Sequence, residues 1–266
     1  MNFKRVYAVF LRQMFVIRNM PSRTVPYVLW AVLDIVLWGF ITKYLNAVGH
    51  AQFSFVSTIL GAVLLWDFLQ RVQQGMTIPF LEDVWAHNLI NLFASPLTIG
   101  EYIVGFIVTS TVTSFFGLVL MIALAALVFG LSLFSLGIAL VSFLLILFLF
   151  GIALGILGAT VVLRLGPYAE WFIWPIPALL APFAGVFYPI ASLPSWMQYI
   201  AHALPPSYVF EGMRSILIAG TYDITTLVWG VALAIVYVAA SYGLFAFMYR
   251  VVVRKGLIAR FSAEGE

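Results

Sequence analysis

The chain has 266 residues; 64% are hydrophobic, 9% are charged, and the mean hydropathy is +1.10. Soluble domains carry about 25% charged residues, so this composition excludes a soluble enzyme, a disordered chain, a fibrous repeat and a free nucleic-acid binder. A net charge of +3 with no cysteine leaves no disulfide framework, thiolate metal site or catalytic thiol, and the apolar runs exceed the roughly 9–11 residues of a barrel strand, so the expected class is a helical membrane protein.

Residues 3–19 come first. Phe3, Val6, Tyr7, Phe10, Met14 and Ile17 recur at helical spacing, while Lys4, Arg5, Arg12 and Asn19 point elsewhere. An apolar stripe beside a basic face suits a helix lying in the interface of an anionic cytoplasmic leaflet; packing on a soluble partner is the alternative. Residues 1–24 therefore read as an interfacial amphipathic helix, broken at Met20-Pro21-Ser22. Its basic residues interrupt the apolar ones, so no cleavable leader is expected.

Spans 1 and 2 are expected at 25–43 and 54–74. Span 1 carries Asp34 and span 2 carries Asp67 and Arg71. A carboxylate at the bilayer centre costs about 2.5–3.5 kcal/mol, so Asp34 should face protein or water. It either lines a substrate path or anchors helix packing by a hydrogen bond. Asp67 and Arg71 stand four apart, acid first, the better order for a helical ion pair.

The segment 76–101 follows. Pro79 suits the first turn of a new helix, and Glu82 and Asp83 suit the positive end of its dipole. Phe80, Val84, Trp85, Leu89, Leu92 and Phe93 are its apolar positions, and Ser95-Pro96 ends it. A short amphipathic helix over 79–95 is expected, docked on another protein or resting on lipid headgroups. Thr98-x-x-Glu101 has capping-box spacing for span 3, which gives Glu101 a structural role.

Residues 102–163 carry no Asp, Glu, Lys or Arg and hold two spans, 102–129 and 136–162, broken near Gly130. Gly151-x-x-x-Gly155 followed by Gly158 permits close helix approach, within the chain or at a dimer seam. Seven of the 12 prolines lie in 175–206. Each interior proline removes a helix hydrogen bond, so 171–189 reads as a kinked fifth span and 190–218 as short helices dipping into the outer leaflet. Trp196 and Tyr199 suit an interfacial belt, and Glu211 and Arg214 can pair at i, i+3. The sixth span is expected at 224–249. With six spans, 11 of the 13 Lys and Arg fall on one side, which places both termini in the cytoplasm.

What is absent also decides. There is no Walker A loop, no His-Glu-x-x-His and no Gly-x-Ser-x-Gly. His50, His87 and His202 show no ligand spacing, no selectivity filter stands out, and the halves show no internal repeat. An autonomous channel and an intramembrane enzyme remain as alternative classes.

The order of elements resembles the permease subunits of ABC-2 type ATP-binding-cassette transporters. Tyr188, Pro189, Leu193, Pro194, Pro205, Glu211 and Arg214 are similar to that family's Tyr-Pro, Leu-Pro, Pro and Glu-x-x-Arg signature, and Ser95, Pro96, Leu97 and Glu101 look like the segment after its coupling helix. The resemblance implies an all-α fold: six transmembrane helices over 25–250, the interfacial helix, an extracellular re-entrant hairpin over 190–218 and a cytoplasmic tail over 251–266. It implies a non-catalytic subunit of the bacterial cytoplasmic (inner) membrane, paired as a homodimer with two copies of a nucleotide-binding ATPase subunit. That subunit would hold ATP and Mg, and this chain would hold no cofactor or metal. Glu82, Asp83, Val84, Trp85 and Leu89 would contact the ATPase, and Asp34 is the candidate path residue. The implied cargo is a drug, a lipid or a lipid-linked glycan.

Overall fold

A computed structural model describes residues 1–48, 56–221 and 223–255; of residues 21–24, 26–28, 56, 57, 90, 93, 134, 135 and 167 it describes the backbone alone. The first residues of span 2, His50, the side chains of Arg23 and Phe93, and the tail beyond 255 lie outside that description. Every regular element among the described residues is helical. In chain order the α-helices are α1 (Phe3–Asn19), α2 (Pro21–Val48), α3 (Gly61–Trp85), α4 (Leu89–Ala94), α5 (Ile99–Phe129), α6 (Ala139–Leu165), α7 (Glu170–Ile173), α8 (Pro175–Ala184), α9 (Ser195–Ala203), α10 (Pro205–Arg214) and α11 (Ile224–Arg254).

The centre of the molecule is α3, packed between α5 and α6, with α11 on the far side of α6. The small residues of α6 make this approach possible. A Cβ added at Gly151, Gly155 or Gly158 would lie 2.8, 2.4 or 2.6 Å from side-chain atoms of Val72, Met76 and Thr77. Thr77 Oγ1 also donates to the Gly155 carbonyl at 3.2 Å. The glycine stripe is thus spent inside the chain, on the α3–α6 contact. Gly130 has φ 67 and closes α5 in the left-handed conformation, where glycine carries no Cβ penalty. The capping box of Thr98 and Glu101 is formed in full.

Four helices are long and apolar enough to cross a membrane among the described residues: Leu29–Val48, Ile99–Phe129, Ala139–Leu165 and Ile224–Arg254. The six-span expectation exceeds this by α3 and by α7 with α8. The reason is physical in each case. α3 is enclosed by protein, so it can hold Gln73 and Thr77 nearly fully buried, beside Asp67 and Arg71, and its hydropathy falls. The fifth expected span is cut by its prolines into α7 and α8, the latter ending at Gly185 with φ 62.

A separate helix starting at Pro79 does not form. Pro79 lies inside α3, which runs on to Trp85; a turn through His87, at φ 51, leads to the six residues of α4. Proline forfeits only the bond to the carbonyl four residues back, here Gly75. Packing on both sides of α3 holds the helix through that loss.

Candidate functional site

At one end of the molecule, the turn between α3 and α5 is gripped by α1. Val6, Val9 and Gln13 form the buried face of α1. Val9 sits over Gly105 of α5, where an added Cβ would be 2.6 Å from its own. This close approach brings two basic residues onto two carboxylates. Arg12 donates from Nη1 and Nη2 to Asp83 Oδ1 and Oδ2 at 2.9 and 2.5 Å. The Tyr102 hydroxyl donates to Asp83 Oδ2 at 2.5 Å, and Asn88 Nδ2 reaches Oδ1 at 3.5 Å. Burial opposes the charge of Arg12, but the hydrogen bonds and charge of Asp83 outweigh it and hold the guanidinium above its ordinary pKa. Glu101 accepts from the Asn2 backbone N–H at 2.6 Å and the Thr98 N–H at 3.0 Å, and pairs with Arg5 at 3.5 Å.

The five residues expected to contact a partner divide accordingly. Asp83, Val84 and Leu89 point into the chain, at 7%, 0% and 2% exposure. This corrects Asp83 in particular: its charge is consumed internally, so it is not a docking group. Trp85 is 45% exposed, Glu82 is half-buried, and the exposed run continues through Ala86, His87, Asn91, Ala94, Ser95 and Pro96. The interfacial face of α1 is corrected too, because Arg5 and Arg12 serve ion pairs. Phe3, Tyr7 and Phe15 are the exposed apolar side chains, beside exposed Lys4 and Arg18.

Tyr102 and Arg12 were not expected at this site. Periodicity assigns Arg12 to a solvated basic face, and nothing in the spacing links residue 12 to residue 83. The one available signal is Gln13, a polar residue beside Arg12 that proves buried.

At the end opposite α1, the seven signature residues lie along the reversal from α8 to α10. The Glu211 carboxylate accepts from the Ile190 N–H at 2.7 Å and from Arg214 Nη2 at 2.9 Å. Arg214, 6% exposed, also reaches the Val186 carbonyl at 3.4 Å. The Tyr188 hydroxyl donates to the Pro182 carbonyl at 2.7 Å. Pro189 precedes a 3₁₀ turn over Ile190–Ser192 that ends at Leu193, Pro194 precedes α9, and Pro205 opens α10. Each proline stands where a backbone N–H is dispensable. The contacts of Tyr188, Glu211 and Arg214 hold the reversal from α8 to α10.

Between the two ends, Arg71 Nε donates to Asp67 Oδ2 at 2.5 Å, and the Arg71 side chain lies against Gly117, 3.1 Å from where its Cβ would be. Asp34 of α2 is half-buried and close enough to feel both charges. Among the described residues no hydrogen bond or ion pair reaches it. No group of three His, Asp or Glu side chains is disposed to hold a metal among the described residues.

No curated protein matches the chain. The sequence model of one family, described as ABC-2 type transporter, matches residues 6–218, which take in α1 from Val6 onward, the gripped turn and the signature reversal. That is well over half of the sequence, so the chain belongs to the ABC-2 type transporter family and is the membrane component of an ATP-binding-cassette transporter.

Proposed function

We propose that two copies of this chain form the pathway of an exporter, driven by two copies of a separate nucleotide-binding subunit that holds ATP and Mg. The cargo is a hydrophobic or amphipathic molecule: a drug, a lipid or a lipid-linked glycan. The setting is a bacterial cytoplasmic membrane, with both termini and the turn over 85–98 in the cytoplasm. Six crossings are made by α2, α3, α5, α6, the α7–α8 pair and α11. Residues 166–184 are helical but for Trp174, about 28 Å of rise, close to the apolar thickness of a bilayer. α9 and α10 form the hairpin dipping into the outer leaflet. Asp34, which no hydrogen bond or ion pair reaches among the described residues, faces the path.

The observation that carries this reading is the turn itself. Among the described side chains it offers one large exposed aromatic, Trp85 at 45%, on a frame held at both ends by Asp83 and Glu101. A rigid aromatic on a small rim is what a docking site in a groove needs. Family membership sets aside the autonomous channel and the intramembrane enzyme. The test is co-purification with the tagged nucleotide-binding subunit. Trp85→Ala should weaken association by about 2 kcal/mol, some thirtyfold. Undiminished recovery of the complex would remove the turn as the docking element.

A further inference from the structure

Among the described residues, the charges of the membrane helices around Asp34 do not balance. Asp67 and Arg71 pair on α3, and Asp34 of α2 is close enough to feel both. That makes two carboxylates and one guanidinium. α2 supplies no second cation: it has no Lys or Arg between Arg23 and Lys43, so its own basic residues stand about 13 Å or more from Asp34 along the helix. α5 carries no charge after Glu101. Its face against Arg71 is Gly117, and Ser114, one turn back on that face, is buried with no partner for its Oγ among the described residues. A carboxylate left over at membrane depth is costly and marks a substrate or ion route.

The surroundings of Asp34 select the kind of cation. Trp30 and Trp38 stand four residues before and four after it, so the three side chains share one stripe of α2. Trp30 is exposed; Trp38 is half-buried and stacks on Phe187 with ring centroids 4.9 Å apart. Leu33 and Leu37 complete the stripe with exposed apolar surface. A carboxylate between two indoles attracts an organic cation by charge and by cation–π contact. A metal ion would need several oxygen ligands instead, and no such group is disposed to hold one among the described residues.

We infer that the Trp30–Asp34–Trp38 stripe binds a lipophilic organic cation, a quaternary or protonated ammonium on a large apolar body, and that the exported cargo is of this class. This rests on the reading of Asp34 as a path residue.

Tetraphenylphosphonium and tetraphenylborate share a shape and carry opposite permanent charges, so the pair reads the sign of the site. The full chain in nanodiscs of zwitterionic lipid should bind tetraphenylphosphonium saturably in equilibrium dialysis, after subtraction of empty nanodiscs. Tetraphenylborate should bind at least about tenfold more weakly. Asp34→Asn should weaken tetraphenylphosphonium binding at least about tenfold, Asp34→Glu should keep most of it, and Trp30→Ala should weaken it about threefold. Equal binding of the two probes, or wild-type affinity in Asp34→Asn, would overturn the inference. If Asp34→Asn does not fold, Trp30→Ala decides, since Trp30 is exposed: unchanged affinity there would overturn it. In proteoliposomes with the ATPase subunit, ATP should drive tetraphenylphosphonium across the membrane. Asp34-dependent binding without such movement, in an assembled complex that hydrolyses ATP, would remove Asp34 from the path and overturn the assignment of the cargo, while the cation site stood. If no ATPase subunit associates, the exporter reading fails instead, and binding to the chain alone decides the site.

Discussion

Asp83 and Trp85 stand two residues apart and have opposite duties. The helix turns by about 100° per residue, which sends one side chain into the chain and the other out of it. Asp83→Asn should therefore lower stability by about 2 kcal/mol, because it leaves Arg12 and Tyr102 facing a neutral amide. A drop in the thermal midpoint in detergent would report this. Trp85→Ala should leave that midpoint unchanged and affect only association, since its side chain is already exposed. Asp34 separates two effects in the same way. Asp34→Asn should cut transport and spare stability, as no hydrogen bond within the described residues is lost. Stability lost while transport persists would make it a packing residue. The pairs Asp67–Arg71 and Glu211–Arg214 were legible from residue spacing, because both partners sit on one helix. The Arg12–Asp83 pair was not, because it joins residues 71 positions apart.

At the scale of elements, glycine at two positions does two jobs. Gly155 lies under Met76, with no room for a Cβ. Gly155→Val should disrupt the α3–α6 contact, costing on the order of 3 kcal/mol by overpacking, read as a lower thermal midpoint. Gly130 has open space around it and only its φ of 67 to protect. Gly130→Ala should cost about 1 kcal/mol. The start of α11 is set by Asp223, which accepts from the Thr225 N–H at 2.9 Å and from the Thr226 hydroxyl. The Thr226 and Thr225 hydrogen bonds hold its carboxyl below the ordinary value. A lowered value means that the cap is fully formed above the ordinary carboxyl range and is lost as pH falls through the folded value. Amide exchange at residues 224–227, corrected for intrinsic rate, should therefore gain relative to the rest of α11 on acidification, and Asp223→Ala should show that gain at neutral pH. Helix ends marked by caps and glycines were readable in advance at Thr98 and Gly130. The end of α3 was misread, because a proline ordinarily starts or breaks a helix and here tertiary packing carries the helix through it.

For the whole molecule, the arrangement proposed for the membrane makes one decisive demand. Ser195 is exposed at the start of α9, and a Cys introduced there should react with an impermeant reagent from outside the cell. Labelling from the cytoplasm alone would invert the topology. Composition determined by itself that this chain belongs in a membrane, since so few charges cannot cover a soluble core. Periodicity, caps and proline clusters determined most helix positions, and the Tyr-Pro and Glu-x-x-Arg residues pointed to the family. Those signals are local: they report on one helix face, one cap or one turn. Only the tertiary structure decided which helix is central, that the Gly151–Gly155–Gly158 stripe serves α3, and that α1 is locked to the turn through Asp83 and Glu101. Such choices depend on which surfaces approach closely enough to exclude lipid and water. That closeness is settled by packing between residues distant in sequence, which no local pattern encodes.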